Sequence, residues 1–225
     1  MSKTLIVTGT SRGIGNSIVH LAVKQGHKVY ALSRKIKSLP ETGLMHPLKV
    51  NLSDEKDLDS FATLLKSENV KVDALINNAG TFLNRPFLET SKEDFEKIYK
   101  VNVFGLASIT RKILPFIASN GHVLNISSMG GVDGSSKFPG LSAYSSSKGA
   151  VNILTELLSE EFKEKGPAFN ALALGAVQTE MLEEAFPGLK APLNAKEMAS
   201  YILNFAISGH KFFNGKILPV SLSTP

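Results

Sequence analysis

The sequence predicts an α/β fold: a single domain with a doubly wound parallel sheet between two layers of helices. Short apolar segments typical of buried parallel strands alternate along the chain with longer amphipathic segments typical of helices. The 225 residues, 43% hydrophobic and 20% charged, also suit one soluble globular domain with a substantial core. We therefore expect three layers, α/β/α, spanning residues 1–225.

Each element of this alternation is predicted from its own sequence signals. The sequence Ser53-Asp54-Glu55 predicts a helix N-cap, and Gly166-Pro167 predicts the end of the longest helix. Strands are expected at residues 4–8, 28–33, 44–50, 72–76, 122–126, 169–174 and 216–220. Helices are expected at residues 14–24, 54–66, 92–117 (in one or two pieces), 144–165 and 195–207. The stretches 129–142 and 180–194 are expected to be long loops, either functional or mobile.

Composition and charge exclude some classes of protein. The chain has no cysteine, which excludes disulfides and thiolate chemistry, and its five histidines lack metal-ligand spacing, so no metal is expected. No apolar run reaches the roughly 18 residues of a membrane span, and the N-terminus lacks a signal-peptide pattern. We therefore expect a cytoplasmic protein with no membrane partner. The net charge of +5 is spread along the chain, so no nucleic-acid partner is expected.

A glycine-rich turn joins the first predicted strand to the first predicted helix, in the sequence Thr8-Gly9-Thr10-Ser11-Arg12-Gly13-Ile14-Gly15. One glycine permits the tight turn, one lets a ligand approach the backbone, and one allows close packing of helix on strand. The free N–H groups and positive dipole of a helix N-terminus favour a pyrophosphate. Ordinary turns can also be rich in glycine, so the position between strand and helix carries the prediction of a dinucleotide site.

The end of the second predicted strand bears on which dinucleotide is bound. NAD-binding domains usually place an acid there for the ribose 2′-hydroxyl, but this strand ends in Ser33-Arg34. Arg34, and Arg12 in the glycine turn, can face a 2′-phosphate, which guanidinium geometry matches. Either arginine can equally be a solvated surface charge. The missing acid and the two arginines together favour NADP (NADPH) over NAD.

Tyr144 and Lys148 lie four residues apart in a predicted helix, and therefore project from one face. A cation beside the phenol favours the phenolate, so the tyrosine pKa is expected to fall below its usual value of about 10. Such a tyrosine can exchange a proton near neutral pH. Taken alone, the pair is more often a half-buried aromatic beside a solvated charge, so the rest of the chain must support it.

Six ordered motifs make the chain resemble the short-chain dehydrogenase/reductase family, from about residue 3 to residue 220. They are the glycine turn, Asn77-Asn78-Ala79-Gly80, Asn102, Ser128 ending Asn125-Ile126-Ser127-Ser128, the Tyr144 and Lys148 pair, and Gly175-Ala176-Val177-Gln178-Thr179. Two positions depart from the family pattern. Leu174 replaces the expected proline before Gly175, and Asn51 stands where members often have an aspartate near the adenine.

The resemblance implies a Rossmann fold and an NADP-dependent oxidoreductase that interconverts a small-molecule ketone or aldehyde with an alcohol. Tyr144 would be the general acid, Lys148 would lower its pKa and bind the nicotinamide ribose, and Ser128 would donate to the substrate oxygen. Asn102 would hold a water in a proton relay. The resemblance places cofactor contacts at Gly9, Ser11, Arg12, Gly13, Ile14, Gly15, Ser33, Arg34, Asn51, Leu52, Asn78, Ala79, Gly80, Tyr144, Lys148, Gly175, Val177 and Thr179.

Several alternatives remain open. The same fold can use NAD, or it can serve as a dinucleotide-binding regulator that acts through partner contacts. A regulator need not retain all four of the catalytic residues, which argues against it. Members of the family commonly form dimers or tetramers, so the resemblance implies a homodimer or homotetramer packed through helices near residues 106–116 and 150–162. The substrate depends on the loops at 129–142 and 180–194, and the sequence leaves it undefined.

Overall fold

A parallel sheet forms the centre of the molecule, in a computed structural model that describes residues 1–36 and 39–222. The strands are β1 (Thr4–Thr8), β2 (Lys28–Ser33), β3 (Met45–Lys49), β4 (Val72–Asn77), β5 (Ile117–Ser128), β6 (Ala168–Leu174), β7 (Val177–Gln178), β8 (Leu193–Asn194) and β9 (Lys216–Val220). Within these ranges, seven strands pair in the order β3-β2-β1-β4-β5-β6-β9, and β7 pairs separately with β8. The predicted domain includes residues 37, 38 and 223–225, which lie outside the described ranges.

Helices cover both faces of this sheet. They are α1 (Gly13–Lys24), α2 (Glu55–Ser67), α3 (Lys92–Tyr99), α4 (Leu106–Ile113), α5 (Ser142–Glu161), α6 (Glu180–Ala185) and α7 (Ala195–Ser208). Leu5 and Val7 pack with α1 and α7 in one apolar cluster, whereas Ile6 packs with α2 and α4 in the other. Successive strand residues point to opposite faces of the sheet. The two clusters therefore show that both faces of the sheet are buried. The predicted doubly wound, three-layer α/β fold is confirmed.

The region predicted as helix from 92 to 117, in one or two pieces, is divided and more irregular than expected. Helices α3 and α4 are joined by the π-helical segment Lys100–Gly105, and a 3₁₀ turn at Leu114–Phe116 follows α4. Strand β5 then begins at Ile117, not at residue 122 as predicted, because Ile117 already pairs with Val72 of β4. The register shifts between Val72 and Ala74, and this irregularity accommodates the extra residues of β5.

The stretch 180–194, predicted to be a loop, contains α6 and β8. Helix α6 is capped by Thr179, whose hydroxyl accepts a hydrogen bond from the Leu182 N–H at 3.2 Å. A helix of six residues is too short to produce a helical periodicity in the sequence. The predicted N-cap of α2 is confirmed, since Asp54 accepts from the Lys56 N–H at 3.0 Å.

The strand order places a crevice at the carboxyl end of β1 and β4. The chain leaves β1 toward β2 and β3 on one side, and β4 begins the other half of the sheet. Ligands of open α/β sheets bind where the strand order reverses in this way. The glycine turn, the segment after β4, Ser128 and Gly175 all follow the carboxyl ends of neighbouring strands, so the fold brings the predicted motifs to one edge.

Neither a membrane-spanning helix nor a metal-binding cluster is found among residues 1–36 and 39–222. No helix there is long and apolar enough to cross a membrane. The same residues contain no group of three or more histidine, aspartate or glutamate side chains arranged to hold a metal ion.

Candidate active site

A cavity of about 1200 Å³ opens at the carboxyl edge of the sheet. It is larger than the 300–1,000 Å³ of most small-molecule pockets, which suits a dinucleotide together with a second ligand. Most of the predicted site residues line it: Gly9, Ser11, Arg12, Gly13, Ile14, Ser33, Arg34, Asn51, Leu52, Asn78, Ala79, Gly80, Ser128, Tyr144, Lys148, Gly175, Val177 and Thr179. Gly15 and Asn102 are not among the lining residues in the described part of the chain.

The glycine turn is fixed against the segment that follows β4. The Asn78 side-chain amide donates to the backbone oxygens of Thr8 and Gly9 at 3.0 and 3.2 Å. A Cβ on Gly9 would lie 2.7 Å from the Ala79 Cα, and one on Gly15 would lie 2.3 Å from the Gly9 oxygen. Gly15 therefore packs helix against turn, and its predicted contact with the cofactor stays a prediction.

The N-terminus of α1 faces the cavity. Gly13 begins the helix with a φ of +60°, a conformation that favours glycine. Arg12 occupies the N-cap position without a side-chain hydrogen bond to the first turn, as far as the described residues show. The first N–H groups of α1 and the helix dipole are thus directed at the space where a pyrophosphate would lie.

Cationic side chains line the end of the cavity near β2. Arg34 and Lys35 are exposed there, and the Ser33 hydroxyl turns back to donate to the Lys35 carbonyl at 2.6 Å. Arg12 points elsewhere: its guanidinium forms a bidentate ion pair with Glu184 of α6. This pair raises the pKa of Arg12 and lowers that of Glu184. Arg34 and Lys35 are therefore the exposed cations directed to this end of the cavity.

Asn51 and Leu52 form the wall of the cavity next to Arg34 and Lys35. The Asn51 side-chain oxygen accepts from the Ser53 N–H at 3.1 Å, and the Asn51 N–H donates to Asp57 at 2.8 Å. Asn51 is thus held in a local turn. Leu52 packs closely against Gly105, where a Cβ would approach the Leu52 Cβ to 2.9 Å.

Ser128, Tyr144 and Lys148 converge in the centre of the cavity. Helix α5 presents both Tyr144 and Lys148, and Ser128 ends β5 opposite them. The Lys148 ammonium donates to the Ile126 carbonyl at 2.7 Å and lies 5.8 Å from the centre of the Tyr144 ring. The Ser128 oxygen accepts from the Gly130 N–H at 3.3 Å, which leaves its O–H proton available for donation.

The pKa values in this cluster differ from the sequence-based expectation. Burial raises the pKa of Tyr144 above its usual value, and a hydrogen bond with Ser128 opposes this only in part. The predicted lowering by Lys148 does not outweigh this burial, because its ammonium is directed at the Ile126 carbonyl. Burial lowers the pKa of Lys148 itself to about 8. Tyr144 is therefore protonated at neutral pH, and Lys148 is the group that titrates close to it.

Asn102 lies behind the cavity in the π-helical segment and is completely buried. Its oxygen accepts from the Thr81 N–H at 2.8 Å, and its amide group donates to the Thr81 carbonyl and to the Ser147 hydroxyl, both at 3.0 Å. Asn102 thus joins the segment after β4 to α5. Its predicted role in holding a water stays a prediction, and these contacts give it a positioning role.

Gly175, Val177 and Thr179 follow β6 and close the far side of the cavity. A Cβ on Gly175 would lie 2.4 Å from the Ser221 hydroxyl, so this position requires glycine. Val177 is buried in β7, and Thr179 lies close to Gly13, where a Cβ would approach the Thr179 methyl to 3.7 Å. The segment after β6 therefore faces the glycine turn across the cavity.

Several lining residues were not predicted from the sequence. They include Lys35 beside Arg34, and the apolar residues Phe82, Phe138, Leu141, Met181, Leu182, Phe186 and Leu189. Lys35 could have been found as the next cation after Arg34. Phe82 could not be singled out from the sequence, since periodicity does not separate a core aromatic from one that lines a cavity.

Comparison with known proteins gives consistent matches. The profile of the family described as short chain dehydrogenase matches residues 3–190. The 2-(R)-hydroxypropyl-CoM dehydrogenase of Xanthobacter autotrophicus is 32% identical over 197 residues, which cover 81% of this chain and 78% of the relative. The L-2,3-butanediol dehydrogenase of Corynebacterium glutamicum is 32% identical over 198 residues, covering 82% and 75%.

A solved structure agrees with these sequence matches. The 3-ketoacyl-(acyl-carrier-protein) reductase from Brucella melitensis, complexed with NADH, superposes with a TM-score of 0.85 at 25% identity, covering 97% of this chain and 96% of that one. The chain belongs to the short-chain dehydrogenase/reductase family.

Proposed function

We propose that this protein is an NADP-dependent oxidoreductase that interconverts a ketone or aldehyde with an alcohol. The observation that carries the proposal is the convergence of Ser128, Tyr144 and Lys148 in a cavity that also contains a glycine turn and a helix N-terminus. Family membership supports an oxidoreductase, and the relatives include dehydrogenases and a reductase. A bound nicotinamide dinucleotide would supply or accept the hydride at the carbonyl carbon.

The residues around the reacting oxygen have distinct tasks in this proposal. The Tyr144 hydroxyl, protonated at neutral pH, donates its proton to the substrate oxygen during reduction. The Ser128 hydroxyl donates a hydrogen bond to the same oxygen and so stabilises the charge that develops there. The Lys148 ammonium stabilises the phenolate that remains on Tyr144, and Asn102 positions α5 through Ser147.

The preference for NADP is supported by the charges at the end of β2. Arg34 and Lys35 provide two cations beside Ser33, and no carboxylate of the described residues is placed at that strand end to bind a ribose 2′-hydroxyl. NAD is the second candidate, because Arg12 is already paired with Glu184 and the similar Brucella melitensis reductase was solved with NADH. Equilibrium titration of the protein with NADPH and NADH decides between them, and tighter NADH binding would overturn our preference.

Replacing Tyr144 with phenylalanine tests the proposed acid. Tyr144→Phe removes the proton donor, so turnover of a carbonyl substrate is expected to fall at least about 100-fold, with NADPH affinity nearly unchanged. Dinucleotide oxidation at 340 nm and fluorescence titration of NADPH measure the two effects.

Tyr201→Phe is the matched control for Tyr144→Phe, since Tyr201 lies on α7 and is not among the described cavity residues. Near-normal turnover of Tyr144→Phe would remove Tyr144 from the acid role.

A further inference from the structure

The part of the cavity beyond Tyr144 has an aromatic wall. The Phe82 ring lies 4.7 Å from the Tyr144 ring, centre to centre, and Phe186 packs edge-on against Phe82 at 5.8 Å. Phe138, Leu141 and Leu189 extend the same apolar lining. Phe82 is therefore positioned to contact whatever group is attached to the carbon whose oxygen faces Tyr144.

The charged residues that line the cavity are concentrated at its other end. Arg12, Arg34 and Lys35 belong to the glycine turn and the end of β2. Glu180 lies beside Gly13, where its carboxylate would be 3.6 Å from a Cβ. Lys148 is the remaining charged residue that lines the cavity in the described ranges, and its ammonium is held by the Ile126 carbonyl.

Two further cations lie near the aromatic wall, and both have partners. Arg85 forms an ion pair with Asp94. Lys137 donates to the Val132 carbonyl and to the Ser135 carbonyl and hydroxyl, at 2.5, 3.1 and 2.7 Å. Neither residue lines the cavity. An anionic group bound against Phe82 and Phe186 would thus lose its hydration without gaining a cationic partner, which is unfavourable.

We propose that the substrate is an uncharged ketone, or the corresponding alcohol, that carries an aromatic or bulky aliphatic group. This inference rests on the proposed function and names the substrate class of the same site. The apolar group packs between Phe82, Phe186 and Leu189, while its carbonyl oxygen meets Tyr144 and Ser128. Carboxylates, phosphates and sulfonates are disfavoured, because no cation of the described residues lines this wall.

Helix α6 holds this wall in place. The Asn84 amide donates to the Ala185 carbonyl at 3.1 Å on the substrate side, and Glu184 pairs with Arg12 on the dinucleotide side. Phe186 directly follows Ala185 at the end of α6. The position of Phe186 against Phe82 is therefore set by contacts at both edges of the cavity.

The first test compares two ketones of similar shape and different charge. With saturating NADPH, kcat/KM for 4-methylacetophenone is expected to exceed that for 4-acetylbenzoate at least 100-fold. Leu189→Arg places a cation on the exposed part of the wall, and is expected to reduce this ratio at least tenfold by improving turnover of 4-acetylbenzoate. Equal or better turnover of 4-acetylbenzoate by the unmodified protein would overturn the proposal.

The second test addresses the aromatic wall itself. Phe82→Ala is expected to lower kcat/KM for 4-methylacetophenone at least tenfold, with a much smaller effect on 2-butanone, which is too small to fill the wall. Phe87→Ala is the matched control, because Phe87 is exposed and outside the cavity lining. An equal loss on both ketones would show that Phe82 acts on Tyr144 alone, and would overturn its role in specificity.

Binding measurements separate this inference from the proposed reaction. Calorimetric titration of the NADP complex with 4-methylbenzamide and 4-methylbenzoate, which are not reduced, is expected to show binding of the neutral compound only. Selective binding without turnover of any ketone would refute the reaction while supporting the substrate class. Preferred binding of the benzoate, or binding of neither compound, would refute the substrate class.

Discussion

Lys148 is 4% exposed, and its ammonium has the Ile126 carbonyl as its hydrogen-bond partner. Burial disfavours the charged form, so its pKa falls to about 8. The ammonium is therefore protonated at pH 7 and loses its proton through a pH range in which an unburied lysine stays charged. Since the charge of Lys148 supports the proposed proton transfer from Tyr144, the titration should be visible in the kinetics.

We expect kcat/KM for carbonyl reduction to fall as the pH rises through about 8, because Lys148 becomes neutral. Lys148→Arg keeps the charge over this range, so the falling limb should move to higher pH even if the overall rate is lower. Stopped-flow pH–rate profiles of both proteins measure the shift. If the falling limb of the Lys148→Arg profile stays at the same pH, the titration belongs to another group.

Among single residues, Arg34 is the one on which the preference for NADP over NAD is expected to depend. Arg34→Ala is expected to raise KM for NADPH about tenfold and to leave KM for NADH within a factor of about two, because the lost partner is specific to the 2′-phosphate. Arg111→Ala is the control, since Arg111 is an exposed arginine on α4 that pairs with Glu55. An equal effect of Arg34→Ala on both dinucleotides would contradict the assignment.

At the level of single residues, the sequence predicted the site best where a motif determines the backbone. Tyr144 and Lys148 could be placed because one helix carries both, and Gly9 because one turn requires it. The partner of Arg12 could not be predicted, because Glu184 lies 172 residues away and meets it only in the folded chain. The pKa of Tyr144 was misjudged because the direction of the Lys148 ammonium depends on a backbone carbonyl of β5.

Helix α6 borders the cavity, so its position bears on ligand entry. It carries Glu184, whose ion pair with Arg12 joins α6 to the glycine turn. Both side chains are largely exposed, so the pair is weak and open to competition from an incoming phosphate. Binding of a 2′-phosphorylated dinucleotide and loss of the Arg12–Glu184 ion pair are therefore expected to be coupled, while the hydrogen bond from Asn84 to Ala185 still holds α6 on the substrate side.

Removing the Glu184 charge should strengthen NADPH binding. In Glu184→Gln the Arg12 guanidinium is released for the 2′-phosphate, and the Kd for NADPH is expected to fall about two- to five-fold, in keeping with an exposed ion pair. Glu183→Gln is the control on the same helix, because its side-chain oxygen can still accept from the Gly188 N–H. Weaker NADPH binding in Glu184→Gln would show that the ion pair organises the site instead of competing for Arg12.

Among the elements, the regular strands were predicted most accurately. The bounds of β1, β2 and β9 agree with the prediction because each is a short run of strand-forming residues between polar turns. The start of β5 was missed because it depends on a register shift against β4, a tertiary feature. The break between α3 and α4 was left open because a π-helical segment preserves the apolar helical character of its neighbours.

For the whole molecule, the exposed face of α5 bears on assembly. Ile153 and Leu157 lie one helical turn apart and are 67% and 60% exposed. Large apolar side chains in a contiguous exposed patch mark an interaction surface. We propose that this face packs against a second copy of the chain, in agreement with the dimer or tetramer that the family resemblance implied.

Charged residues introduced on this face of α5 are expected to dissociate the proposed dimer or tetramer. Sedimentation velocity of the unmodified protein is expected to give a dimer or tetramer, and the double variant Ile153→Glu with Leu157→Glu is expected to sediment as a smaller species. Leu88→Glu is the control, as Leu88 is 97% exposed on a different part of the surface. A monomeric unmodified protein, or an unchanged oligomer in the double variant, would refute this interface.

The π-helical segment Lys100–Gly105 limits where the chain can gain or lose residues. Its wide turns contain more residues than an α-helix would over the same rise, so they set the rotational phase between α3 and α4. Deleting one residue there would turn α4 by about 100° relative to α3, moving Ile109 and Ile113 away from the sheet. Insertions and deletions should therefore be tolerated in the surface loops of this protein but eliminated at this segment.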